Sequence, residues 1–330
     1  MILFEGQNIL KQNSMKTKVN KEADMMIGKI CGTGSGIPVK IMDNDDLSNM
    51  VDTNDAWIRE RTGVEKRHIA ESESTVSMAV EAGRQALAQT GVRPEELDMI
   101  VVSTMSPDAV LPCTACEVQK AIGAEGAVCF DLQAACTGFI FAYNTAQAYI
   151  QSNMCRTVLL IGSERLSRLV DWTDRGTCIL FGDGAGAAVL KAAEGRAYLP
   201  VSHSDGKKGE ALTCDRYIHM DGRAVFQFAV TRVPEVIREV LTKNELLMDD
   251  IDYFVLHQAN RRIVEAVAKR LRQPIEKFPM NLQEYGNTSS ASIPILLDEM
   301  NRSGKLKKGQ KLVVAGFGAG LSWGASIVEW

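Results

Sequence analysis

Cys136 is the first residue whose type and position could support chemistry. It follows an apolar stretch at residues 129–135 and precedes another at residues 138–150, a pattern that predicts a strand turning abruptly into a helix. Near a helix start, unpaired backbone N–H groups and the helix dipole favour an anion, so we expect the Cys136 thiol to ionise more readily than a free one. Cys136 is therefore a candidate nucleophile. A cysteine between apolar runs is nevertheless more often a small buried side chain, so this stretch alone does not decide its role.

His257 and Asn287 become candidate partners of Cys136 through an internal repeat. The matched segments are 86–103 with 240–257, 131–133 with 281–283, 157–162 with 311–316, and 182–190 with 316–328. In this alignment Cys136 falls opposite Gly286, which precedes Asn287, and His257 ends a matched strand. Duplicated α/β units usually pair around a pseudo-twofold axis, so we expect the three side chains in one cleft. Taken singly, His257 could be a structural histidine and Asn287 a helix cap.

Strands and helices follow one another in the same order twice, which predicts an α/β fold that can position these residues. The predicted strands are residues 27–32, 99–104, 127–132, 157–162, 187–191, 253–256, 311–315 and 326–330. The predicted helices are residues 55–60, 73–90, 111–122, 138–150, 233–241, 261–271 and 291–300. We predict an N-terminal extension at residues 1–25, a first half at residues 26–195 that holds the cysteine, and a second half at residues 196–330 that holds the histidine and asparagine.

Three glycines follow the first predicted strand at alternate positions. Gly32, Gly34 and Gly36 resemble a phosphate-binding loop, but the acidic residue of a dinucleotide-binding fingerprint does not follow a second strand. We therefore predict a glycine-rich turn here, without a nucleotide.

Composition narrows the class of protein. The 330 residues are 45% hydrophobic and 24% charged, as in ordinary globular enzymes, and the net charge of −4 gives no reason to expect nucleic acid. No run of eighteen apolar residues and no secretory signal pattern occur, so we expect no membrane span and a cytoplasmic location. The eight cysteines lie mostly in apolar segments, which favours reduced thiols. Cys113 and Cys116 could form a redox pair or half a zinc site, but nothing completes a metal site, so we predict a helix face.

Four motifs together resemble a known family. They are DLQAACTG at residues 131–138, LHQANR at 256–261, YGNTS at 285–289 and GFGAGLSWG at 316–324. In this order they are similar to those of β-ketoacyl-acyl-carrier-protein synthase III, the initiating condensing enzyme of type II fatty acid synthesis. The resemblance runs from about residue 26 to the C-terminus. It implies a thiolase-like fold, internally duplicated with five layers in the order α-β-α-β-α, and a homodimer.

The resemblance also implies a reaction. Cys136 would be acylated by acetyl-CoA or another short acyl-CoA, while His257 and Asn287 would bind the malonyl thioester of acyl carrier protein and stabilise the enolate left by decarboxylation. The products would be 3-oxoacyl-acyl-carrier protein, CoA and CO₂. Backbone N–H groups of Cys136 and Ala319 would hold the oxyanion. No cofactor or metal is implied, since acyl-CoA and malonyl-acyl-carrier protein are substrates.

Binding residues are implied by the same matches. The CoA-binding residues would be Trp57, Arg61, Arg175 and Asn260. The acyl pocket would include Phe317 and Leu111, the latter reaching across the dimer where a Phe would limit the primer to very short chains. The carrier-protein contacts would be Gln258, Ala259, Asn260, Arg261, Arg262 and Lys269. Arg262, Lys269 and Arg270 could instead belong to an ordinary solvated helix face.

Other classes with similar residues fit less well. Papain-like proteases combine Cys, His and Asn, but their Cys-Gly-Ser-Cys-Trp run is absent. Elongating synthases have a second His in place of Asn287, and thiolases have a second Cys near the C-terminus, whereas no Cys follows Cys214 here. A non-enzymatic scaffold that had lost its active site would lack one of the residues Cys136, His257 and Asn287. Initiating synthases of polyketide or other 3-oxoacyl pathways share all three residues and remain an open alternative.

Overall fold

The computed structural model describes residues 25–330. The predicted N-terminal extension therefore lies outside the described residues, except for Met25, which begins the first strand. The strands are β1 (Met25–Gly36), β2 (Ile41–Asp43), β3 (Lys66–His68), β4 (Met99–Ser103), β5 (Val128–Leu132), β6 (Thr157–Glu164), β7 (Gly184–Gly195), β8 (Val201–Ser204), β9 (Leu212–Cys214), β10 (Ile218–Met220), β11 (Tyr253–Leu256), β12 (Lys311–Gly318) and β13 (Ser322–Glu329). The helices are α1 (Asn44–Ser48), α2 (Asp55–Thr62), α3 (Thr75–Thr90), α4 (Thr114–Ile122), α5 (Gly138–Gln151), α6 (Gly222–Lys243), α7 (Arg261–Leu271), α8 (Leu282–Tyr285) and α9 (Ser292–Arg302).

Two mixed sheets repeat one strand pattern. The first sheet has the order β1-β7-β6-β4-β5, and the second has the order β11-β12-β13-β8. In each, a parallel pair (β4 with β6, β11 with β12) is followed by two antiparallel pairings. The first sheet adds β5 at its edge, parallel to β4. The predicted internal duplication is thus confirmed. The domain boundary at residues 195 and 196 stays a prediction.

Helices cover both sheets and separate them. Ala86 of α3 belongs to the core on the outer face of the first sheet, which α4 also covers. Ile140 of α5 and Leu296 of α9 pack in the core between the two sheets. Val236 of α6 and Val267 of α7 pack on the outer face of the second sheet. Burying each of these valine, leucine and isoleucine side chains stabilises the fold by roughly 1.5–3 kcal/mol. The five layers α-β-α-β-α that were predicted are confirmed.

The three alternate glycines near the N-terminus do not form a turn. Gly32, Gly34 and Gly36 all lie within β1. A Cβ at these positions would come within 2.1–2.5 Å of backbone carbonyl oxygens of α3. The prediction of a glycine-rich turn was wrong because the glycines serve a close strand–helix contact, which their alternate spacing places on one face of β1.

Two short 3-10 turns show where the halves correspond at the cleft. Ala135–Thr137 leads directly into α5, and Ser289–Ala291 leads directly into α9. Each turn begins with a residue in the left-handed region, at φ 46° and φ 49° respectively. Cys136 therefore corresponds to Ser290. The sequence alignment predicted Gly286 as its counterpart instead. The alignment was wrong because the second half has a short helix, α8, where the first half has β5.

Within residues 25–330, no helix is both long enough and apolar enough to cross a membrane.

Candidate active site

Cys136, His257 and Asn287 line one cavity of about 430 Å³. Residues from both halves of the chain form its walls, and most of the surrounding side chains are apolar. These apolar residues include Met105, Phe141, Leu166, Phe181, Leu212, Ile218, Met220, Val225 and Phe317. The structure therefore brings the three predicted residues together, while their catalytic roles stay predictions.

Cys136 lies in the turn immediately before α5 and is 8% exposed. The end of β12 packs directly against it, because a Cβ added to Gly318 would lie 3.0 Å from both N and Cβ of Cys136. A side chain at position 318 would therefore require Cys136 to shift by a few tenths of an ångström. The next residue, Ala319, lines the cavity beside Gly318, and its carbonyl oxygen accepts a hydrogen bond from the Ser322 hydroxyl. The backbone of residues 318–319 is thus placed next to the backbone of Cys136.

The Cys136 thiol is not readily ionised in this enclosed site. Burial raises its pKa to about 12, although a hydrogen bond donated by the Ser289 hydroxyl opposes the shift. The prediction of an easily ionised thiol was wrong because removing a thiolate from water costs more than one hydrogen bond returns. The resting Cys136 side chain is therefore a neutral thiol.

His257 follows β11, and its backbone N–H donates to the carbonyl oxygen of Ala315 in β12. Its ring packs edge-on against Phe317, with 5.2 Å between ring centroids. Burial lowers the pKa of His257 to about 3, so the imidazole is neutral at ordinary pH. Among the described residues, Nε2 is buried without a hydrogen-bond partner. A buried polar atom without a partner is costly, which suggests that a ligand completes this site.

Ser292 controls which ring nitrogen of His257 carries the proton. The Ser292 Oγ lies 2.7 Å from Nδ1 of His257 and 2.9 Å from the carbonyl oxygen of Ser289. A hydroxyl has one proton to donate. When Ser292 donates to the carbonyl oxygen of Ser289, it accepts from Nδ1–H of His257 and Nε2 is an acceptor. When Ser292 donates to Nδ1 instead, the proton of His257 is on Nε2. In that tautomer Nε2–H is a neutral donor directed at a cavity ligand.

Asn287 is held so that only its amide nitrogen remains for a ligand. Its backbone N–H donates to Leu180, and its carbonyl oxygen accepts from Gly182. The side-chain Oδ1 accepts from the backbone N–H of Ser289 at 2.9 Å. The Nδ2 group is therefore a second neutral donor on the cavity wall.

The four residues predicted to bind CoA form one cluster. The guanidinium groups of Arg175 and Arg61 lie 4.7 Å and 5.9 Å from the centre of the Trp57 ring. Asn260 donates from Nδ2 to the carbonyl oxygen of Arg61, and its neighbour Ala259 lines the cavity. An aromatic face between two guanidinium groups suits a heteroaromatic ring that carries phosphates.

The two residues predicted for the acyl pocket differ in position. Phe317 lines the cavity of its own chain, but Leu111 does not. Leu111 is 82% exposed, and its neighbour Val110 is 88% exposed. Within the described residues, Leu111 is thus free to contact another molecule.

One of the predicted carrier-protein contacts is wrong. Gln258 is 1% exposed. Its Nε2 donates to Oδ1 of Asn281, and its Oε1 accepts from the backbone N–H groups of Asn281 and Leu282. It therefore fixes the loop before α8 and cannot reach a protein partner. Arg262 and Lys269 are exposed on one face of α7, with the Arg262 guanidinium 5.6 Å above the Phe226 ring.

Sequence reasoning did not identify Ser289, Ser292 or Glu164. Ser289 forms a hydrogen bond with Cys136, and Ser292 forms one with His257. The buried Glu164 anchors the turn between the two serines through a hydrogen bond from Ser290. A signal was present, because residues 288–292 read Thr-Ser-Ser-Ala-Ser directly after Asn287 and before an apolar helix. Such a dense run of hydroxyls at a helix start indicates local hydrogen bonding.

Comparisons with known proteins identify one family along most of the chain. The family model of 3-oxoacyl-[acyl-carrier-protein] synthase III matches residues 130–206, and the model of its C-terminal part matches residues 241–330. The β-ketoacyl-[acyl-carrier-protein] synthase III of Clostridium novyi (strain NT) is 46% identical over 319 residues, covering 92% of this chain and 98% of that protein.

Solved structures are similar along nearly the whole chain. The crystal structure of 3-oxoacyl-[acyl-carrier-protein] synthase III from Aquifex aeolicus VF5 matches with a TM-score of 0.90 at 44% identity, over 92% of this chain and 100% of that one. The priming β-ketosynthase from the R1128 polyketide biosynthetic pathway matches with a TM-score of 0.90 at 35% identity, over 93% of this chain and 97% of that one.

Proposed function

The chain belongs to the 3-oxoacyl-[acyl-carrier-protein] synthase III family, and we propose that it initiates fatty acid synthesis as an acyltransferase. It joins a short acyl group from acyl-CoA to malonyl-acyl-carrier protein, with loss of CO₂, through an acyl-Cys136 intermediate. The observation that carries the proposal is the shared cavity, in which a buried thiol lies with the unpartnered Nε2 of His257 and with Nδ2 of Asn287, the two groups that we propose as donors.

In the first half-reaction, Sγ of Cys136 attacks the thioester carbon of acyl-CoA. The bond from that carbon to the CoA sulfur breaks, and the thiol proton ends on the departing CoA thiolate. The backbone N–H groups of Cys136 and Ala319 are the proposed donors to the oxyanion, as preorganised donors act in acyl transfer. The product is a thioester, which keeps the acyl group activated.

In the second half-reaction, the malonyl thioester oxygen accepts from His257 and Asn287. Loss of CO₂ leaves its electron pair as an enolate, whose carbon attacks the acyl-Cys136 thioester. The carbon–sulfur bond breaks, and Cys136 regains a proton. Because burial keeps His257 neutral, the enolate gains hydrogen bonds without a full positive charge that would trap it.

Mass spectrometry tests this function directly. The protein is mixed with a panel of acyl-CoAs and then with malonyl-acyl-carrier protein. We expect a covalent acyl adduct on the peptide that contains Cys136, followed by its loss and the appearance of 3-oxoacyl-acyl-carrier protein. An adduct that persists after malonyl-acyl-carrier protein is added would contradict the second half-reaction.

We propose that the partners are acyl-CoA, acyl carrier protein and a second copy of this chain, in the cytoplasm, with no cofactor. Two features support the homodimer: the exposed apolar side chains of Val110 and Leu111, and the position of β5 at the edge of the first sheet. Exposed apolar side chains and unpaired sheet edges are common at interfaces. The reaction needs no metal, since a thiol, an amide and an imidazole supply each step.

The identity of residue 111 is expected to set the length of the primer. If Leu111 closes the acyl pocket of the partner subunit, the flexible leucine should admit chains beyond acetyl, including branched ones. Leu111→Phe should restrict acylation to short chains, because the larger ring fills the space. Acylation rates across the acyl-CoA panel test this, with Val110→Phe as the matched control. A chain-length profile that is the same in parent and Leu111→Phe would contradict the assignment.

The exposed basic face of α7 is expected to steer the acidic carrier protein. Arg262→Glu combined with Lys269→Glu should raise KM for malonyl-acyl-carrier protein about tenfold or more, because steering charges act on the encounter. Acylation by acyl-CoA should remain nearly unchanged. Steady-state kinetics of the two half-reactions measure the difference.

The matched control reverses the charge of two exposed lysines that lie just before β12. Lys307→Glu with Lys308→Glu changes the net charge equally but lies at the end of β12 that is remote from Cys136. If this control raises KM as much as the α7 variant, net charge alone is responsible. The assigned face would then be wrong.

The open alternative, an initiating synthase of a polyketide pathway, is less favoured. The priming β-ketosynthase is 35% identical, whereas the fatty-acid type relatives reach 44–46% identity.

A further inference from the structure

Ser289 lies directly against the candidate nucleophile. Its hydroxyl donates to Sγ of Cys136 across 3.2 Å, and both side chains are buried. It is the one side-chain hydrogen bond that reaches this sulfur within residues 25–330, and Ser289 also lines the cavity. The hydroxyl is therefore a fixed donor at the reacting atom.

The backbone of Ser289 contacts the side chain of Asn287 and that of Ser292, which in turn contacts His257. Its N–H donates to Oδ1 of Asn287, and its carbonyl oxygen lies 2.9 Å from the Oγ of Ser292, which also lies 2.7 Å from Nδ1 of His257. Ser289 has φ 49°, which is uncommon for a residue other than glycine. Such a conformation persists where the surroundings determine it, and it occurs often at functional sites.

Ser290 anchors the same turn to the first half of the chain. Its hydroxyl lies 2.8 Å from the buried carboxylate of Glu164 at the end of β6 and 3.0 Å from the carbonyl oxygen of Ser103. Glu164 also accepts from the Ser106 hydroxyl at 2.5 Å and from the backbone N–H of Met105 at 3.1 Å. The turn that presents Ser289 is thereby preorganised, since little movement is needed when charge develops on the sulfur.

We propose that Ser289 is a further catalytic residue, which donates its hydroxyl to the Cys136 sulfur whenever that sulfur carries negative charge. The inference rests on the proposed function for the steps concerned. In acyl transfer, charge develops as the thiol proton leaves for the CoA sulfur and the new carbon–sulfur bond forms. In condensation, the carbon–sulfur bond breaks with its electron pair on Sγ, which then takes a proton from water.

Removing the hydroxyl tests this role without any substrate. Ser289→Ala lacks the donor, and Ser289→Gly lacks it while accepting φ 49° without strain. Below the pKa of the thiol, the rate of alkylation by iodoacetamide follows the thiolate fraction. We expect the alkylation rate of Cys136 in both variants to fall to about one tenth of the parent rate or lower. The rate is measured by mass spectrometry on the peptide that contains Cys136, between pH 7 and 9.

Ser163→Ala is the matched control. The Ser163 hydroxyl is also buried and donates to a backbone carbonyl oxygen, that of Thr75, but it does not line the cavity. The Ser163→Ala variant should be alkylated at Cys136 at the same rate as the parent protein. If a folded Ser289→Gly variant is alkylated as fast as the parent, the proposal is overturned.

The outcome is independent of the proposed function. Slow alkylation in the Ser289 variants supports the hydrogen bond even if no acyl-CoA acylates the parent protein, a result that would refute the proposed function alone. If the parent is acylated, its rate with acyl-CoA should fall in Ser289→Ala by a similar factor. An unchanged acylation rate would overturn the catalytic role of the hydroxyl.

Discussion

His257→Ala and Asn287→Ala are expected to form the acyl-enzyme on Cys136 but to lose decarboxylation of malonyl-acyl-carrier protein. Each substitution removes one of the two side chains on the cavity wall that we propose as donors to the enolate oxygen. Losing one donor to a developing oxyanion lowers a rate by about 10²–10³-fold, so the defect should be large. Release of CO₂ from labelled malonyl-acyl-carrier protein and the mass of the acyl adduct measure the two half-reactions separately.

Asn287→Asp is a useful companion variant, since it keeps the size and the acceptor oxygen but lacks the amide donor. It should fail in decarboxylation as Asn287→Ala does. The opposite pattern, in which the donor variants lose acylation and retain decarboxylation, would mean that His257 acts mainly as the base for Cys136. Nε2 would then accept a proton rather than donate one, and the roles proposed above would be reversed.

Cys136→Ala is expected to abolish the acyl adduct while retaining decarboxylation of the malonyl thioester in part. The adduct requires a nucleophilic sulfur, and alanine has none. Decarboxylation requires the donors of His257 and Asn287, which the substitution leaves in place. Adduct mass and CO₂ release again separate the two activities.

Cys155→Ala is the matched control, because this cysteine is also buried but lies in the core between the sheets, away from the cavity. It should keep both half-reactions. If Cys136→Ala still carries an acyl group, another thiol is the nucleophile. Cys214 would then be the first candidate, since it also lines the cavity.

The repeat in the sequence predicted the architecture well but the cleft only approximately. The strand segments matched because both halves bury the same apolar strands in equivalent sheets. The correspondence failed between β5 and α8, where one half has a strand and the other a helix. Pairing Cys136 with Gly286 concealed its true counterpart, Ser290, and with it Ser289, the serine beside Cys136.

Single residues show the same limit. The three alternate glycines of β1 resembled a turn, because the close approach of α3 is not visible in neighbouring letters. Gln258 belonged to a motif associated with the carrier protein, yet its hydrogen bonds to residues 281 and 282 bury it. In both cases a partner distant in the chain decides what the residue does.

By itself, the sequence determined the duplicated α/β fold, the family and the three residues that meet in the cavity. The fold follows from apolar periodicity and the internal repeat, since both depend on short segments. The family follows from the resemblance of four motifs in a set order to those of known proteins. Only the tertiary structure decided the state of the site. The neutral Cys136 thiol and the neutral His257 follow from burial, and the hydrogen bond from Ser289 to Cys136 joins residues 153 positions apart. Desolvation and long-range hydrogen bonds depend on how segments pack in space, which local sequence does not encode.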